Sequence, residues 1–345
     1  RARGFGRRHN RRFFEIVRPS MTAEDVTLGH IFEARRRIAP VIRRTPLVPS
    51  PSLSARFGAP IHFKLETVQD TGSFKVRGAS NKLLSLTEAE RQRGVVAVST
   101  GNHGRAVAHV ARRIGLKAVI CLSNLVPENK RAAIRALGAE LIVSGQSQDD
   151  AAEVAFRLVR EQGLVMVNPF DDPFVIAGQG TIGLEILEDL PEIDTILVPI
   201  SGGGLIGGIA CALKAAKPDC RVVGVSMEGG AAMYQSLKAG KPVQIPDVES
   251  LADSLQGGIF LDNAHTFRMV MGLVDDFVLV SEDEIADAMA YAFEREHLVL
   301  EGAGAVGIAA LLSGKVKARR GPAALVLSGT NAPAARLVEI VAARR

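Results

Sequence analysis

The chain is predicted to be an α/β protein with two open parallel sheets and a ligand cleft between them. Short apolar runs alternate with helical patterns along most of its length, the pattern of parallel strands joined by crossover helices. Three of those runs end in turns of Gly, Ser, Thr and Asn that open directly onto the next segment, and in open parallel sheets ligands bind at such carboxyl ends of strands. A length of 345 residues accommodates about two domains, and 47% hydrophobic with 23% charged residues suits a globular enzyme. No uninterrupted apolar stretch is long enough to span a bilayer, so no membrane partner is expected.

Residues 1–20 carry seven Arg against one acid, Glu15. This tail is read as disordered or non-native sequence ahead of a start at Met21, with a transit peptide or a nucleic-acid arm as alternatives. The whole chain has a formal charge of +5, and without the tail the remainder stands at −1. The body is therefore not basic, and nucleic acid is not an expected partner. After an apolar run at Ile61 comes Thr71-Gly72-Ser73-Phe74-Lys75-Val76-Arg77-Gly78-Ala79. A surface lysine usually sits among charges, whereas Lys75 follows a Phe in a glycine-punctuated turn at a helix start. Such a setting desolvates the amine, and the neutral amine is the form that attacks an aldehyde. Taken alone, Lys75 also reads as an ordinary lysine at a helix start.

From Gly94 to Asn168 strand and helix patterns alternate closely. Val95–Ser99, Ala118–Leu122, Leu141–Ser144 and Leu164–Val167 are β-like, and helices begin near Asn102, Pro127 and Gln148. The segment Ser99-Thr100-Gly101-Asn102-His103-Gly104 gathers amides and short polar side chains at a helix N-terminus, a ready carboxylate site. Residues 195–200 read as a buried strand running into Ser201-Gly202-Gly203-Gly204-Leu205, where a backbone without Cβ atoms can approach a phosphate with the positive end of a helix behind it. Runs at Val222 and Phe277 follow, and Ala324–Leu327 delivers Ser328-Gly329-Thr330-Asn331. Together with Ile61 and Thr195 these runs make a second, larger sheet. Cys121, Cys211 and Cys220 lie in or beside apolar segments without zinc-like spacing and read as reduced core thiols of a cytoplasmic protein.

The Ser-Phe-Lys-x-Arg-Gly-Ala segment, the Ser-x-Gly-Asn-His loop, the tri-glycine loop and the late Ser-Gly-x-Asn turn, in that order, resemble the threonine/serine dehydratase family of fold-type II pyridoxal-phosphate enzymes, whose fold is like that of the tryptophan synthase β chain. The resemblance runs from about Met21 to the C-terminus. Residues 99–105, 224–228 and 252–255 are most similar to the hydroxyectoine-utilization dehydratase branch. The resemblance implies a small inserted domain, 94–168, within a large one, 21–93 and 169–345, with the cofactor between them. It implies pyridoxal 5'-phosphate, loss of water from a β-hydroxy α-amino acid, and release of a 2-oxo acid and ammonia, unless a partner enzyme intercepts the imine. A homodimer or homotetramer is the expected assembly.

By the same resemblance Lys75 bonds the cofactor aldehyde and acts as general base, Phe74 packs on the ring, and Asn102 donates to the phenolic oxygen. Gly202, Gly203, Gly204 and Leu205 would present amides to the phosphate, Ser328 would meet the pyridine nitrogen, and Glu301 would belong to the framework around the cofactor. A neutral hydroxyl at Ser328 makes the ring a weaker electron sink than an Asp would, which favours direct β-elimination. Ser99, Thr100, Gly101, Asn102 and His103 would contact substrate, His103 reading equally well as a helix-start residue bonded to the backbone. Ser254, in Ala252-Asp253-Ser254-Leu255, would add a hydroxyl to the side-chain pocket and favour substrates more polar than threonine. Two departures stand out. Relatives that hold a divalent metal use acidic residues where this chain has Ser226 and Ala232, so no metal is expected, although Glu228 is near. Racemases carry a Ser where this chain has Thr100, which argues against racemisation.

Other readings remain. A general catabolic L-threonine/L-serine dehydratase needs no special role for Ser254. Residues 202–207 match the dinucleotide pattern G-x-G-x-x-G with Glu228 downstream, but residues 302–307 match it too, and a nicotinamide enzyme leaves Lys75, Asn102 and Ser328 without a task. A cofactor-binding protein without chemistry sits poorly with an intact Lys75.

Overall fold

The computed structural model describes residues 25–99, 101–126, 128–317 and 321–344. The basic tail, Met21 and Thr100 lie outside the described residues. Among the described residues the strands are β1 (Leu47–Pro49), β2 (Ile61–Leu65), β3 (Val95–Val98), β4 (Ala118–Leu122), β5 (Glu140–Val143), β6 (Val165–Met166), β7 (Thr195–Pro199), β8 (Arg221–Met227), β9 (Asp276–Val280) and β10 (Ala323–Leu327). They form a six-stranded sheet in the order β1-β2-β10-β7-β8-β9 and a four-stranded sheet in the order β5-β4-β3-β6. All neighbours are parallel except β1 against β2. The sequence pattern does not announce β1, three residues long; it lies on the outer edge, where Pro49 and its missing N–H are tolerated.

Period-two alternation distributes the strand residues between cores. In the smaller sheet Val95, Ala97, Ile120 and Leu122 face the helix Asn102–Arg113, while Val96, Val119 and Cys121 face the helix Gln148–Gln162. In the larger sheet Leu197, Val223 and Leu325 share a core with the helices Glu282–Arg295 and Gly302–Leu312. Ile196, Val198 and Val326 pack on the other face, against the helices Pro173–Asp189 and Gly204–Ala216. Covered on both faces, β7 is buried at every position, as its continuous apolar run requires. The three cysteines are free and buried, and burial pushes each thiol up to about 11, which leaves them inert at neutral pH. Among the described residues no helix is long and apolar enough to cross a membrane.

The helix Lys75–Leu84 serves both halves. Val76, Ala79 and Leu83 join the core of the four-stranded sheet. Its other side meets the helix Pro173–Asp189 at glycine-to-glycine distance: a Cβ on Gly178 would lie 2.7 Å from the Arg77 carbonyl, and one on Gly78 would lie 2.9 Å from the Val175 carbonyl. Residues grouped by sequence with the larger sheet thus complete the core of the smaller one.

Between this helix and the larger sheet lies a buried ion cluster. Arg77 donates to both oxygens of Glu66, from Nε at 2.8 Å and Nη2 at 2.9 Å, and to both oxygens of Glu185, from Nη1 at 2.7 Å and Nη2 at 2.9 Å. Thr181 and Thr45 accept further bonds from Nη1 and Nη2. Lys64 donates to the Thr45 carbonyl and pairs with Glu185, both at 2.6 Å. Two cations balance two anions, so the cluster carries no net charge into the core. Burial pushes the Glu185 carboxyl up, but Arg77 and Lys64 outweigh it and hold it below the ordinary range. Removing one partner of such a buried set leaves the others uncompensated, at a cost of about 3–5 kcal/mol. Arg77→Ala is expected to lower unfolding stability by that amount in a urea titration of the intact chain, and Arg77→Lys to recover only part of it, since an ammonium cannot match two carboxylates bidentately.

Candidate active site

The carboxyl ends of β3, β7 and β10 open on one cavity of about 440 Å³, lined by Ser99, Gly101 and Asn102, by residues 201–205, and by Ser328, with Lys75 and Phe74 on its wall. That volume falls in the range of small-ligand pockets. Lys75 is held there by the turn that follows β10. Ser73 forms an antiparallel bridge to Gly329, Phe74 N donates to the Ser328 carbonyl at 3.0 Å, and Thr330 N donates to the Gly72 carbonyl at 2.9 Å. Lys75 Nζ donates to the Pro169 carbonyl at 2.7 Å and lies 5.3 Å from the centroid of the Phe74 ring. Asn168 Oδ1 shapes the Pro169 turn by accepting from the amides of Phe170 and Asp171. Burial lowers the Lys75 amine to about 8, with Glu301 offsetting part of the effect. A neutral amine is therefore available near physiological pH.

The glycine loop opposite has no room for side chains. Gly203 has φ of 89°, a left-handed conformation that favours glycine, and a Cβ on Gly202 would lie 2.3 Å from the Phe170 ring. Phe170 in turn stacks on Phe260 with centroids 4.7 Å apart. The helix Gly204–Ala216 begins here, so its unpaired amides, Leu205 included, lie at the cavity. Two aromatic supports of the loop, Phe170 and Phe260, escaped the sequence reading, because nothing in the chain signals that residue 170 underlies residue 202.

Asn102 is buried and is no simple helix cap: its Nδ2 donates to Glu301 Oε1 at 2.8 Å and its Oδ1 accepts from Asn331 Nδ2 at 2.6 Å. Asn331, which the sequence left without a role, also donates to the Thr71 carbonyl at 2.9 Å. Burial raises the Glu301 carboxyl to about 7, with Asn102 opposing and Asp253 assisting. Ser328 is 2% exposed and lines the cavity. Ser99 Oγ accepts from Gly101 N at 3.2 Å. Ser254 sits on the rim, exposed, in a 3₁₀ turn, with its Oγ 3.5 Å from Asn102 Nδ2.

Of the two readings of His103, the structure shows the bond to the backbone. Its Nε2 is bonded to the Val167 carbonyl at 2.8 Å, and burial, helped by Lys75, lowers it to about 3, so it offers no positive charge to a carboxylate. Glu228 is likewise engaged, accepting from Lys315 Nζ at 3.0 Å. Among the described residues no group of three or more His, Cys, Asp or Glu is placed to hold a metal ion.

Against known proteins, the family of pyridoxal-phosphate dependent enzymes matches residues 38–329. A relative from Sinorhizobium fredii, provisionally named a threonine dehydratase, is 54% identical over 307 residues, covering 89% of this chain and 92% of its own. The L-threonine ammonia-lyase of Thermotoga maritima is 44% identical over 306 residues, 89% of this chain and 76% of its own. The structure of maize serine racemase superposes with a TM-score of 0.86 at 38% identity, over 91% of this chain and 96% of that one. The chain belongs to the fold-type II pyridoxal-phosphate-dependent enzymes, within the threonine dehydratase family.

Proposed function

We propose that the protein is a catabolic ammonia-lyase that removes water from L-threonine and L-serine. The observation that carries the reading is the meeting, in one cavity, of a desolvated lysine amine and a cradle of glycine amides with no room for a Cβ. Those features fit pyridoxal phosphate: Gly202, Gly203, Gly204 and Leu205 would hold the phosphate, Ser328 the ring nitrogen and Asn102 the phenolic oxygen. When bound, the cofactor supplies an electron sink that acidifies the substrate α-carbon. Lys75 is the base that takes the α-proton, and the Pro169 carbonyl and Glu301 hold its amine in register. Ser99, Gly101 and Asn102 at the start of the helix Asn102–Arg113 receive the substrate carboxylate through amides and the helix dipole. A neutral hydroxyl at Ser328 keeps flux on elimination.

The division into 94–168 against 21–93 and 169–345 is part of this proposal, supported by the membership of the two sheets, as are a cytoplasmic setting and a homodimer or homotetramer. The relatives named for threonine favour the general dehydratase over the hydroxyectoine-utilization reading. The exposure of Ser254 points the same way. Its hydroxyl already donates to Asp253 Oδ1 at 3.3 Å on an exposed residue, so it does not become the unpaired buried donor whose penalty, about 1–3 kcal/mol, would reject a methyl group.

Four outcomes test the proposal. Lys75→Ala is expected to abolish elimination and the borohydride-reducible link between cofactor and protein. Because only the neutral amine attacks an aldehyde, uptake of pyridoxal phosphate by cofactor-free protein is expected to accelerate as pH rises, with a midpoint about 8, and to level off above it. In kcat/KM comparisons, Ser254→Gly is expected to change the ratio between L-threonine and 3-hydroxyaspartate by less than about threefold, the scale of an exposed substitution; a tenfold shift toward threonine would restore the polar-pocket reading. With Lys315 on Glu228, activity is expected to survive a chelator, and its collapse followed by recovery in magnesium would reverse that assignment.

A further inference from the structure

Asn102 belongs to a chain of hydrogen bonds whose direction is fixed at one end. The main-chain carbonyl of Thr71 can only accept, and Asn331 Nδ2 donates to it at 2.9 Å. The same Nδ2 gives its second hydrogen to Asn102 Oδ1 at 2.6 Å. Asn102 must then turn its own Nδ2 the other way, where it donates to Glu301 Oε1 at 2.8 Å. Glu301 Oε2 accepts from the main-chain amide of Asn331 at 3.2 Å, which closes a ring. Both carboxyl oxygens face donors. The ionised acid accepts at both oxygens with no hydrogen of its own to place, whereas the neutral acid is the weaker acceptor and brings a hydrogen for which the ring has no acceptor.

Glu301 is 5% exposed yet has two fronts. It lines the active cavity and also an open surface pocket of about 740 Å³, and the two spaces share Asp253, Glu301, Asn331, Ala332 and Pro333. The charged groups that line the two spaces beside it are Lys75, Arg105 and Asp253 in the active cavity, and Glu249, Glu282, Asp283, Arg336, Glu339 and Arg344 in the other. Asp283 is paired with Arg344, Arg336 with Glu339, and Glu282 accepts from Ser250 and from the Leu251 amide. Of these charges, Asp253 is the one that raises the Glu301 acid. Burial, opposed by Asn102 and assisted by Asp253, brings the acid to about 7, between its bonded and its buried extremes.

We propose that Glu301 is a positioning residue that anchors the NH₂ end of Asn102, whose orientation the Thr71 carbonyl and Asn331 set, and that proton exchange at Glu301 makes this anchoring reversible. Ionised, Glu301 takes one Asn102 amide hydrogen at 2.8 Å and leaves the other directed only at Ser254 Oγ, 3.5 Å away on the cavity rim, a long contact that a ligand acceptor can replace. Protonated, it accepts more weakly and loosens its hold on Asn102. The inference rests on the dehydratase reading only for what Asn102 meets in the cavity; the ring itself belongs to the protein without cofactor.

The test uses cofactor-free protein labelled with ¹⁵N-asparagine, the Asn102 side-chain signal being the one lost in Asn102→Ala. In the wild type this NH₂ signal is expected to move with pH, with a midpoint about 7, to stand still in Glu301→Gln, and to titrate again in Glu301→Asp. In cofactor-loaded protein, Glu301→Gln is expected to shift the visible absorption band, since the donor to the phenolic oxygen is no longer fixed. A wild-type signal that does not move with pH would overturn the proposal even if no variant folds, and so would movement that persists in Glu301→Gln. A titrating ring in a protein that eliminates water from no hydroxy amino acid would leave this inference standing and remove the dehydratase reading instead.

Discussion

The site depends on Arg77 lying buried between Glu66 and Glu185. A guanidinium has five N–H donors in a rigid plane, and here every one of them has an acceptor. Glu66 follows β2, Glu185 lies on the helix Pro173–Asp189, and Arg77 stands two residues after Lys75, so one side chain ties the start of the catalytic helix to a sheet strand and to its neighbouring helix. The glycine contacts at Gly78 and Gly178 permit that approach, and the bridge from Ser73 to Gly329 fixes the other side of the turn. Lys75 is thereby placed by main chain and ion pairs on three sides, which a long flexible side chain needs if its amine is to act at one point.

The electrostatics of the cleft follow from shutting out water. Burial brings the Lys75 amine down to about 8 and the Glu301 acid up to about 7, and it keeps His103 neutral. Glu301 offsets part of the fall at Lys75, and hydrogen bonds led by that of Asn102 offset part of the rise at Glu301, so neither is driven to the extreme that burial alone would impose. Groups that change charge near neutrality are the ones able to hand protons on and take them back, and the cavity contains one of each kind. The glycine loop supplies the complement: fixed partial charges at a helix start, which do not titrate at all.

Much of this was legible in the chain because parallel strands and phosphate loops leave local marks. The apolar runs of β3, β4, β7 and β10, the glycines at 202–204 and the Lys75 turn carry their structure in short windows of sequence, and the structure brings Lys75, Asn102, Ser328 and the glycine loop to one cavity. What sequence did not disclose is what depends on contacts between distant residues. Arg77 looks like any helical arginine until Glu66 and Glu185 surround it. His103 reads equally as a substrate contact or a backbone-bonded residue until the Val167 carbonyl claims its ring. Phe170 under Gly202, Asn331 beside Asn102 and the antiparallel strand β1 have partners far along the chain, and no periodicity reports them.

The central claim is that this cleft carries out elimination on β-hydroxy amino acids, and product stoichiometry tests it most directly. Purified protein supplied with pyridoxal phosphate and L-threonine should yield 2-oxobutanoate and ammonia in equal amounts, with no epimer of the remaining threonine. Accumulation of the epimer without ammonia, or of a 2-oxo acid only when an amino acceptor is added, would contradict the account and assign the cleft to racemisation or transamination instead.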